Sequence, residues 1–337
     1  MLVKLIRLIL FPFVPIYYLV TRLRNWLYDK GFKSSKAYDI PVICVGNLST
    51  GGTGKTPMIE YLIRLLKNEK SIATLSRGYK RITEGFVLGD DDATADTIGD
   101  EPYQFYRKFE AIKVAVDGNR QNGIEQLLDL EDKPEVILLD DAYQHRKVRA
   151  GLNILLTSYY NLYYKDIVLP TGNLREPRSG AKRADIIVVT KCPVTISKNE
   201  KDIMASKLKL KPHQKLFFSH IGYSESVVSS NNEITLKSLP KFTLVTGIAN
   251  AKPLVNFLKD KGLEFEHIEY PDHYSFRPND IEMLSEKEVI VTTEKDYVRL
   301  SNNESLETKL YYLPIELIID GKNVFDDAIK AFVTKRN

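Results

Sequence analysis

Residues 45–57 read VGNLSTGGTGKTP and lie between an apolar run, residues 40–45, and a segment with helical spacing. Glycines let the backbone curl so that several N–H groups point at phosphate oxygens, and the positive N-terminal end of a following helix strengthens that site. The stretch therefore predicts a phosphate-binding loop in which Lys55 contacts the β and γ phosphates and Thr56 ligates Mg²⁺. The usual motif has a glycine where this chain has Ser49. The residues predicted to bind the nucleotide are Ser49, Thr50, Gly51, Gly52, Thr53, Gly54, Lys55 and Thr56.

The region from about residue 36 to residue 220 alternates short β-branched runs with helical segments. This alternation predicts an α/β fold of the P-loop NTPase type, with a doubly wound, mostly parallel sheet covered by helices on both faces. In such sheets ligands bind beyond the carboxyl ends of the strands. Strands are predicted at residues 40–45, 72–75, 112–116, 136–139, 152–156, 185–189 and 216–219, and helices at residues 56–68, 101–109, 119–130 and 198–209.

Residues 1–30 are apolar and basic, and several aromatic side chains flank the apolar part. The uninterrupted apolar part, residues 8–20, has 13 residues with two prolines among them, which is too short to span a bilayer unaided. No small-residue cleavage site follows it, which argues against a removed signal peptide. Basic groups beside anionic headgroups and aromatic rings at headgroup depth favour a helix at the membrane interface. A buried N-terminal helix of the domain is the alternative.

A polar, Asn- and Ser-rich segment at residues 224–238 precedes a second, smaller alternation of strands and helices. We interpret this segment as a connecting hairpin or linker. Residues 323–334 place apolar side chains on one face, which predicts an amphipathic helix that closes the smaller domain or packs back on the first. The predicted domains are a membrane-associating N-terminal helix at 1–30, a P-loop domain at 31–222, a linker hairpin at 223–240, and a smaller α/β domain with the C-terminal helix at 241–337.

Composition narrows the choice of partners. The net charge of +4 at pH 7 is too mild to favour nucleic acid, so no nucleic-acid partner is predicted. Cys44 and Cys192 show neither a disulfide framework nor a metal-binding spacing, and both are expected to be buried and reduced. No feature of the chain predicts an obligate protein partner.

Residues 136–141, VILLDD, form an apolar run that ends in two carboxylates downstream of the loop. A phosphate-binding loop needs an acidic partner for its metal, and this order suits a Walker-B strand. Either Asp140 or Asp141 is predicted to hold Mg²⁺, directly or through water.

Other polar motifs are ambiguous when each is taken alone. Asp100 precedes Glu101 and Pro102, which is an ordinary arrangement for a helix N-cap. His273 lies in a segment that reads as a turn. Arginines near strand ends suit phosphate groups, but they also occur as solvated loop charges.

Taken together and in order, the motifs resemble those of the tetraacyldisaccharide 4'-kinases, the lipid A 4'-kinases of Gram-negative bacteria. The resemblance extends over almost the whole chain, and Ser49 is a trait of that family. Ala142-Tyr143 stands where Gly-Phe is usual, and Tyr274 stands where a second His is common. The motifs are GNLSTGGTGKTP, LSRGYK, GDEP, DGNR, LLDDAYQHR, GNLREP, VVTK, PDHYSF and VTTEKDYVRL.

The resemblance implies roles for individual residues. Asp100 would accept the proton of a sugar hydroxyl, His273 would pair with Asp100, and Lys55 would act on the transferring phosphoryl group. Asp140 and Asp141 would hold the metal, with Glu176 completing the acidic set. Contacts to phosphates of ATP or of the lipid headgroup would come from Arg77, Asn119, Arg120, His145, Arg146 and Arg175.

The resemblance implies an ATP- and Mg²⁺-dependent kinase that phosphorylates the 4'-hydroxyl of lipid A disaccharide 1-phosphate. Such an enzyme would work at the cytoplasmic face of the inner membrane as a peripheral or monotopic protein, because a lipid with four acyl chains hardly leaves the bilayer. Two alternatives remain at this point. One is a P-loop kinase for a soluble sugar or nucleoside, and the other is a membrane-bound regulatory ATPase.

Overall fold

The structure is a computed structural model that describes residue 7, residues 9–272 and residues 274–335. The α-helices within these ranges are α1 (Val14–Asp29), α2 (Lys55–Leu66), α3 (Ala95–Ile98), α4 (Asp100–Lys108), α5 (Arg120–Leu128), α6 (Lys198–Leu208), α7 (Lys252–Asp260), α8 (Pro278–Ser285), α9 (Glu294–Leu300) and α10 (Lys322–Thr334). The strands are β1 (Val42–Asn47), β2 (Ile72–Ser76), β3 (Val87–Leu88), β4 (Ile112–Val116), β5 (Val136–Asp140), β6 (Leu152–Ser158), β7 (Ile186–Thr190), β8 (Lys215–Tyr223), β9 (Ser226–Val228), β10 (Glu233–Thr235), β11 (Phe242–Thr246), β12 (Phe265–Glu269), β13 (Ile290–Thr292), β14 (Leu310–Tyr312) and β15 (Ile315–Ile319).

Within the described ranges, the larger sheet has nine strands in the order β15-β8-β7-β6-β1-β5-β2-β4-β3. β1 lies at the centre and pairs in parallel with β5 and β6. Every residue of β1 and β5 is buried, because the sheet packs on both faces, and this is why the two strands read as apolar runs. Cys44 and Cys192 are buried and form no disulfide, as predicted. The predicted doubly wound, mostly parallel α/β fold is confirmed.

The smaller sheet, counted over the same described residues, has six strands in the order β10-β9-β14-β13-β11-β12. β11 pairs in parallel with β12 and β13, and β14 pairs in parallel with β13. β9 and β10 form an antiparallel hairpin that joins the sheet through β14. The polar segment at residues 224–238 is therefore a hairpin that is itself part of the smaller sheet.

The C-terminal part of the chain returns to the larger sheet. β15 pairs antiparallel with β8, with Leu317 opposite Ile221. Phe325 and Ile329 of α10 lie in the same buried cluster as Ile59 of α2. The helix was predicted with two possible positions, and the observed one is against the first domain. The domain boundaries stay a prediction, but this pairing favours assigning residues 315–335 to the larger domain.

α1 lies against the larger domain, and none of its residues is fully buried, which argues against the alternative of a buried helix over Val14–Asp29. Tyr17 Oη donates to the backbone carbonyl of Arg175 at 2.9 Å, and Arg146 Nη2 pairs with Asp29 at 2.7 Å. None of the helices formed by the described residues combines the length and the hydropathy that a membrane span requires. Residues 1–6 and 8 of the predicted membrane-associating segment lie outside the described ranges. The apolar side chains that α1 leaves exposed include Ile16, Leu19, Val20, Leu23 and Trp26.

Candidate active site

The predicted phosphate-binding loop connects β1 to α2 and lies beyond the carboxyl end of β1. Gly51 and Gly54 have φ angles of +105° and +85°, which residues with a Cβ rarely adopt, so the curl of the loop depends on these two glycines. Thr190, the last residue of β7, donates its hydroxyl to the carbonyl of Thr53 at 2.7 Å. The loop is therefore fixed to the end of a neighbouring strand.

Two cations of the site surround Asp141. Lys55 Nζ lies 3.7 Å from Oδ1 of Asp141, and Arg175 Nη1 donates to both carboxylate oxygens at 2.9 Å. Burial raises the pKa of Asp141, but the charges of Lys55 and Arg175 outweigh it and hold the pKa below its ordinary value. Asp141 follows β5 directly and has a φ of +47°. A backbone conformation of this kind persists only where the surroundings enforce it, and it is often found at functional sites.

Asp140 ends β5 and is 3% exposed. Its Oδ1 accepts no hydrogen bond from any described residue, and burial, followed by the negative charge of Glu101, raises its pKa to about 7. Glu101 accepts a hydrogen bond from Thr56 Oγ1 at 3.3 Å. The structure thus brings Glu101 into the site, where sequence reasoning had treated it as part of a helix cap. The GDEP motif was the signal that could have identified it.

Asp100 is the first residue of α4 and precedes Glu101. Arg299 of α9 donates from Nη2 to Asp100 Oδ2 at 2.5 Å, and Lys295 of the same helix places Nζ 3.4 Å from Glu101 Oε1. α9, which belongs to the smaller-domain part of the sequence, therefore contacts the N-terminal end of α4, next to the phosphate-binding loop. His273, the predicted partner of Asp100, lies outside the described residues.

Lys191 is a site residue that the sequence analysis missed. It follows β7 directly, has a φ of +58°, and places Nζ 3.6 Å from the position that a Cβ on Gly52 would occupy. Burial, together with the positive charges of Lys295 and Lys55, lowers the pKa of Lys191, while Asp272 opposes this change. Its position at a strand end within VVTK was the available signal.

Glu176, predicted as a metal ligand, is surrounded by hydrogen-bond donors instead. Arg183 contacts its two oxygens at 2.8 and 2.9 Å, Gln144 Nε2 donates at 3.0 Å, and Asn25 Nδ2 donates at 2.7 Å. Within the part of the chain that the structure describes, no three His, Cys, Asp or Glu side chains are grouped so as to hold a metal ion. The structure therefore does not bring Glu176 together with the two strand-end aspartates, and its contact with Asn25 ties α1 to the body of the protein.

Arg120 and Arg146 were predicted to contact phosphates, and both are engaged within the protein. The buried guanidinium of Arg120 donates to the backbone carbonyls of Asp117 at 2.5 Å and Asp140 at 3.2 Å. Arg146 holds Asp29 at the end of α1. The geometry gives both arginines structural contacts, so the predicted phosphate contacts have no support from it.

Arg77 and Asn119 are exposed, and the structure leaves their predicted phosphate contacts as predictions. His145 is partly enclosed near Arg77. Burial, followed by the charges of Arg120 and Arg77, lowers the pKa of His145 to about 4. The imidazole is therefore neutral at physiological pH and can offer one N–H donor without adding charge.

A buried polar cluster joins α2, α4 and α9. Gln104 Nε2 donates to Glu60 Oε1 and Glu294 Oε2 at 2.9 Å each. Lys108 Nζ pairs with Glu60 at 2.7 Å and with Glu294 at 2.6 Å. The helix behind the phosphate loop, the helix that begins at Asp100 and α9 are thereby held together. Further titratable groups that act on this cluster are Arg64 and Tyr312.

Replacing Glu294 by glutamine is expected to change how stability depends on pH. Burial, followed by the negative charge of Glu60, raises the pKa of Glu294 to about 7, although Lys108 opposes the shift. The folded protein retains a proton that the unfolded chain releases, so the wild type loses stability as the pH rises from about 4.5 to about 7. The variant cannot titrate at this position. The difference in melting temperature, variant minus wild type, should therefore increase as the pH rises from 5 to 8.

The control is Glu288→Gln, which changes an exposed glutamate of the same domain. Its melting temperature should follow that of the wild type at every pH. If the melting temperature of Glu294→Gln also followed that of the wild type at every pH, the raised pKa of Glu294 would be refuted.

Comparisons with known proteins agree over nearly the whole chain. The model of the family described as tetraacyldisaccharide-1-P 4'-kinase matches residues 6–334. A tetraacyldisaccharide 4'-kinase of Flavobacterium johnsoniae is 52% identical over 337 residues, with 98% of each chain covered. Its counterpart in Flavobacterium psychrophilum is 49% identical over 334 residues, with 97% of each chain covered. The "apo" form of LpxK from Aquifex aeolicus, crystallised in complex with ATP, is 32% identical, with a TM-score of 0.78 and coverage of 97% of this chain and 99% of that one.

Proposed function

The chain belongs to the tetraacyldisaccharide-1-phosphate 4'-kinase family, and we propose that it transfers the γ-phosphoryl group of ATP to the 4'-hydroxyl of a tetraacylated glucosamine disaccharide 1-phosphate. One observation carries the proposal. Asp100 begins a helix whose second residue, Glu101, accepts a hydrogen bond from Thr56 of the phosphate loop. A carboxylate is thereby held next to the place where the loop would present a γ-phosphate. Support for ATP as the donor comes from the Aquifex aeolicus relative, which was crystallised with it.

In the proposed reaction the oxygen of the 4'-hydroxyl forms a bond to the γ-phosphorus. The bond between that phosphorus and the β–γ bridging oxygen breaks, and ADP leaves with the electron pair. Asp100 accepts the hydroxyl proton late, as the hydroxyl loses it in the transition state. His273 is proposed to pair with Asp100 during this step.

The remaining work of the site is to position groups and to balance charge, because phosphoryl transfer has a loose transition state. Lys55 would contact the β and γ phosphates, and Lys191 would add a second cation above Gly52. Arg175 keeps Asp141 paired, and so fixes the carboxylate that lies closest to Lys55. Fixed cations of this kind stabilise charge that develops during the reaction without having to reorganise.

The acidic part of the site fits a divalent cation. Asp140 has a buried oxygen that accepts no hydrogen bond from the described residues, and burial, followed by the negative charge of Glu101, raises its pKa. Oxygen ligands of this type suit Mg²⁺, which typically takes few ligands from the protein and completes its shell with phosphate oxygens and water. Thr56 and Asp140 would hold the ion, with Glu101 nearby, and Asp141, whose oxygens accept from Arg175, would act on it through water. When bound, Mg²⁺ would neutralise charge on the β and γ phosphates.

The N-terminal helix is proposed to place the enzyme on the cytoplasmic face of the inner membrane. Its outer face carries exposed apolar and aromatic side chains, and the exposed basic residue Arg22 adjoins them. A helix with this arrangement binds at the interface, where its apolar face enters the headgroup region and its cations meet anionic lipids. The acyl chains of the proposed substrate would lie in that same bilayer.

Introducing two charges on the outer face of α1 should abolish membrane binding. Leu19 and Leu23 are 61% and 57% exposed, so Leu19→Glu with Leu23→Glu should leave the melting temperature unchanged. Both glutamates would have to enter the headgroup boundary beside anionic lipids, which is unfavourable. The fraction that sediments with vesicles containing anionic lipid should therefore fall to the level seen without vesicles.

The matched control carries Ile82→Glu and Val194→Glu, which charge two exposed apolar residues outside α1. This control should sediment like the wild type. If the α1 variant still sedimented with the vesicles, the proposed membrane role of α1 would be wrong.

The proposed activity is tested by following ³²P from [γ-³²P]ATP. The purified chain should label tetraacyldisaccharide 1-phosphate in detergent micelles and should not label a glucosamine disaccharide without acyl chains. Labelling of soluble sugars or nucleosides alone would favour a soluble-acceptor kinase. Release of inorganic phosphate without any labelled acceptor would favour a regulatory ATPase, and either result would reject the proposal.

A further inference from the structure

The proposed reaction uses Asp100 but assigns no role to α9, although α9 contacts α4 along its length. The sequence of α9 lies in VTTEKDYVRL, residues 291–300. Three neighbouring contacts join two helices that are almost 200 residues apart in sequence. Glu294, the first residue of α9, contacts Gln104 and Lys108. Lys295 contacts Glu101. In the last turn of α9, Arg299 contacts Asp100.

Arg299 lies between two carboxylates. Its Nη2 donates to Asp100 Oδ2 at 2.5 Å, and its Nη1 lies 3.6 Å from Asp296 Oδ1. Asp296 is completely buried, and its Oδ2 accepts hydrogen bonds from the Gly247 N–H at 2.8 Å and the Thr293 hydroxyl at 2.7 Å. Asp296 is therefore fixed to the residue that follows β11, and the guanidinium lies between this carboxylate, at ion-pair distance, and Asp100, to which it donates.

The chemistry of arginine suits this position. A guanidinium is planar, remains charged, and presents its donors as a rigid fork, so one fixed group can contact two carboxylates in different directions. The side chain of Arg299 is mostly enclosed, whereas that of Asp100 is about one-third exposed. The cation is thus the more enclosed partner of the pair, and the carboxylate of Asp100 keeps part of its surface accessible.

We propose that Arg299 is a positioning residue for phosphoryl transfer, which it serves by holding the carboxylate of Asp100 in the orientation that meets the acceptor hydroxyl. This inference rests on the proposed function, because it takes Asp100 to be the group that receives the proton. Arg299 itself exchanges no proton and contacts no substrate. Its anchor, Asp296, belongs to the smaller-domain segment, so that segment sets the geometry of a residue on the larger domain.

The arrangement also keeps Arg299 paired with a carboxylate throughout the proposed reaction. Before transfer, Arg299 is shared between Asp100 and Asp296. When Asp100 takes the hydroxyl proton and becomes neutral, Arg299 still faces the buried carboxylate of Asp296. An unpaired cation in an enclosed site is costly, and the second carboxylate ensures that Arg299 faces a negative charge both before and after the proton moves.

The test compares Arg299→Lys and Arg299→Gln with the wild type in the full-length enzyme, with [γ-³²P]ATP and tetraacyldisaccharide 1-phosphate in micelles. Lysine keeps the charge but cannot span both carboxylates, so Arg299→Lys should lower kcat while the KM for ATP stays within about twofold. A small misplacement of a reacting group costs up to about 10²-fold in rate, and Arg299→Gln should approach that loss. The control Lys287→Gln removes an exposed ion pair with Glu266 in the same domain and should keep the wild-type kcat.

A second measurement separates positioning from general stability. In an Asp100→Asn background the Arg299→Lys change should lower kcat by less than twofold, because the group that it positions is no longer functional. Equal losses of kcat in both backgrounds, or a wild-type kcat for Arg299→Lys, would overturn the inference. If Arg299→Gln fails to fold, the lysine variant and its double mutant still decide the question. A wild-type enzyme that labels no lipid would instead overturn the proposed function, and this inference with it.

Discussion

Replacing Asp100 by asparagine is expected to lower kcat by about 10²–10⁴-fold, the range over which a positioned general base contributes to a reaction. The amide has nearly the same shape and can still accept a hydrogen bond from Arg299, so the end of α4 should keep its structure. It cannot take up the proton of the acceptor hydroxyl. Binding of ATP, measured by calorimetry, should match the wild type because Lys55 and the phosphate loop are unchanged.

Asp92→Asn is the matched control, since Asp92 is an exposed aspartate upstream of α4. It should retain the kcat of the wild type. An Asp100→Asn enzyme with near-normal kcat would remove Asp100 from the mechanism. Under the same proposal, His273→Ala should lower kcat in the same direction while ATP still binds.

Replacing Lys55 by methionine is expected to impair both binding and transfer. Lys55 would contact the phosphates of bound ATP, so the KM for ATP should rise. It would also stabilise charge on the transferring group, and the loss of one such fixed donor typically costs about 10²–10³-fold in kcat. The side chain of methionine is similar in length to that of lysine, so the packing of the first turn of α2 should be preserved.

The control for this variant is Lys67→Met, at the exposed residue directly after α2. Its kcat and KM should equal those of the wild type. If Lys55→Met kept kcat/KM within about threefold of the wild type, the loop could not be the phosphate-binding element of the reaction.

The larger sheet could be predicted from the sequence because its central strands are buried on both faces. Such strands read as short apolar runs, and the runs that end at Val45 and Leu139 lie within one or two residues of β1 and β5. β15 could not be predicted in the same way. It lies at an edge, contains Glu316, and joins β8 across about 90 residues of sequence, and such a pairing leaves no local signal.

The site could be predicted only in part, because some of its residues lie in local motifs and others reach it only through tertiary contacts. Lys55 lies in one local motif and the two aspartates lie in another, so these side chains could be identified without knowing the fold. The sequence around Glu101 is the same whether this residue only belongs to a helix cap or also accepts a hydrogen bond from Thr56, so its role in the site could not be predicted. Arg299 lies on a helix of seven residues, which is too short for a periodic pattern, and only tertiary contact brings it to the active site.

Charged side chains were the least predictable because the sequence gives a charge but not its partner. Glu176 read as a metal ligand, yet Arg183 and the N-terminal helix occupy its oxygens. Arg146 was predicted to contact phosphate, yet it forms an ion pair with Asp29. Both residues instead fix α1 to the larger domain, so the proposed membrane element is attached next to the site.

The position of the new phosphate on the lipid tests the central claim most directly. The lipid product formed from ATP and tetraacyldisaccharide 1-phosphate can be purified and examined by ¹H–³¹P correlation spectroscopy. We predict a second phosphorus signal coupled to the proton on C4' of the distal glucosamine, beside the signal of the original 1-phosphate. A new phosphorus coupled to any other sugar proton, or a lipid that keeps only its 1-phosphate, would contradict the proposed function.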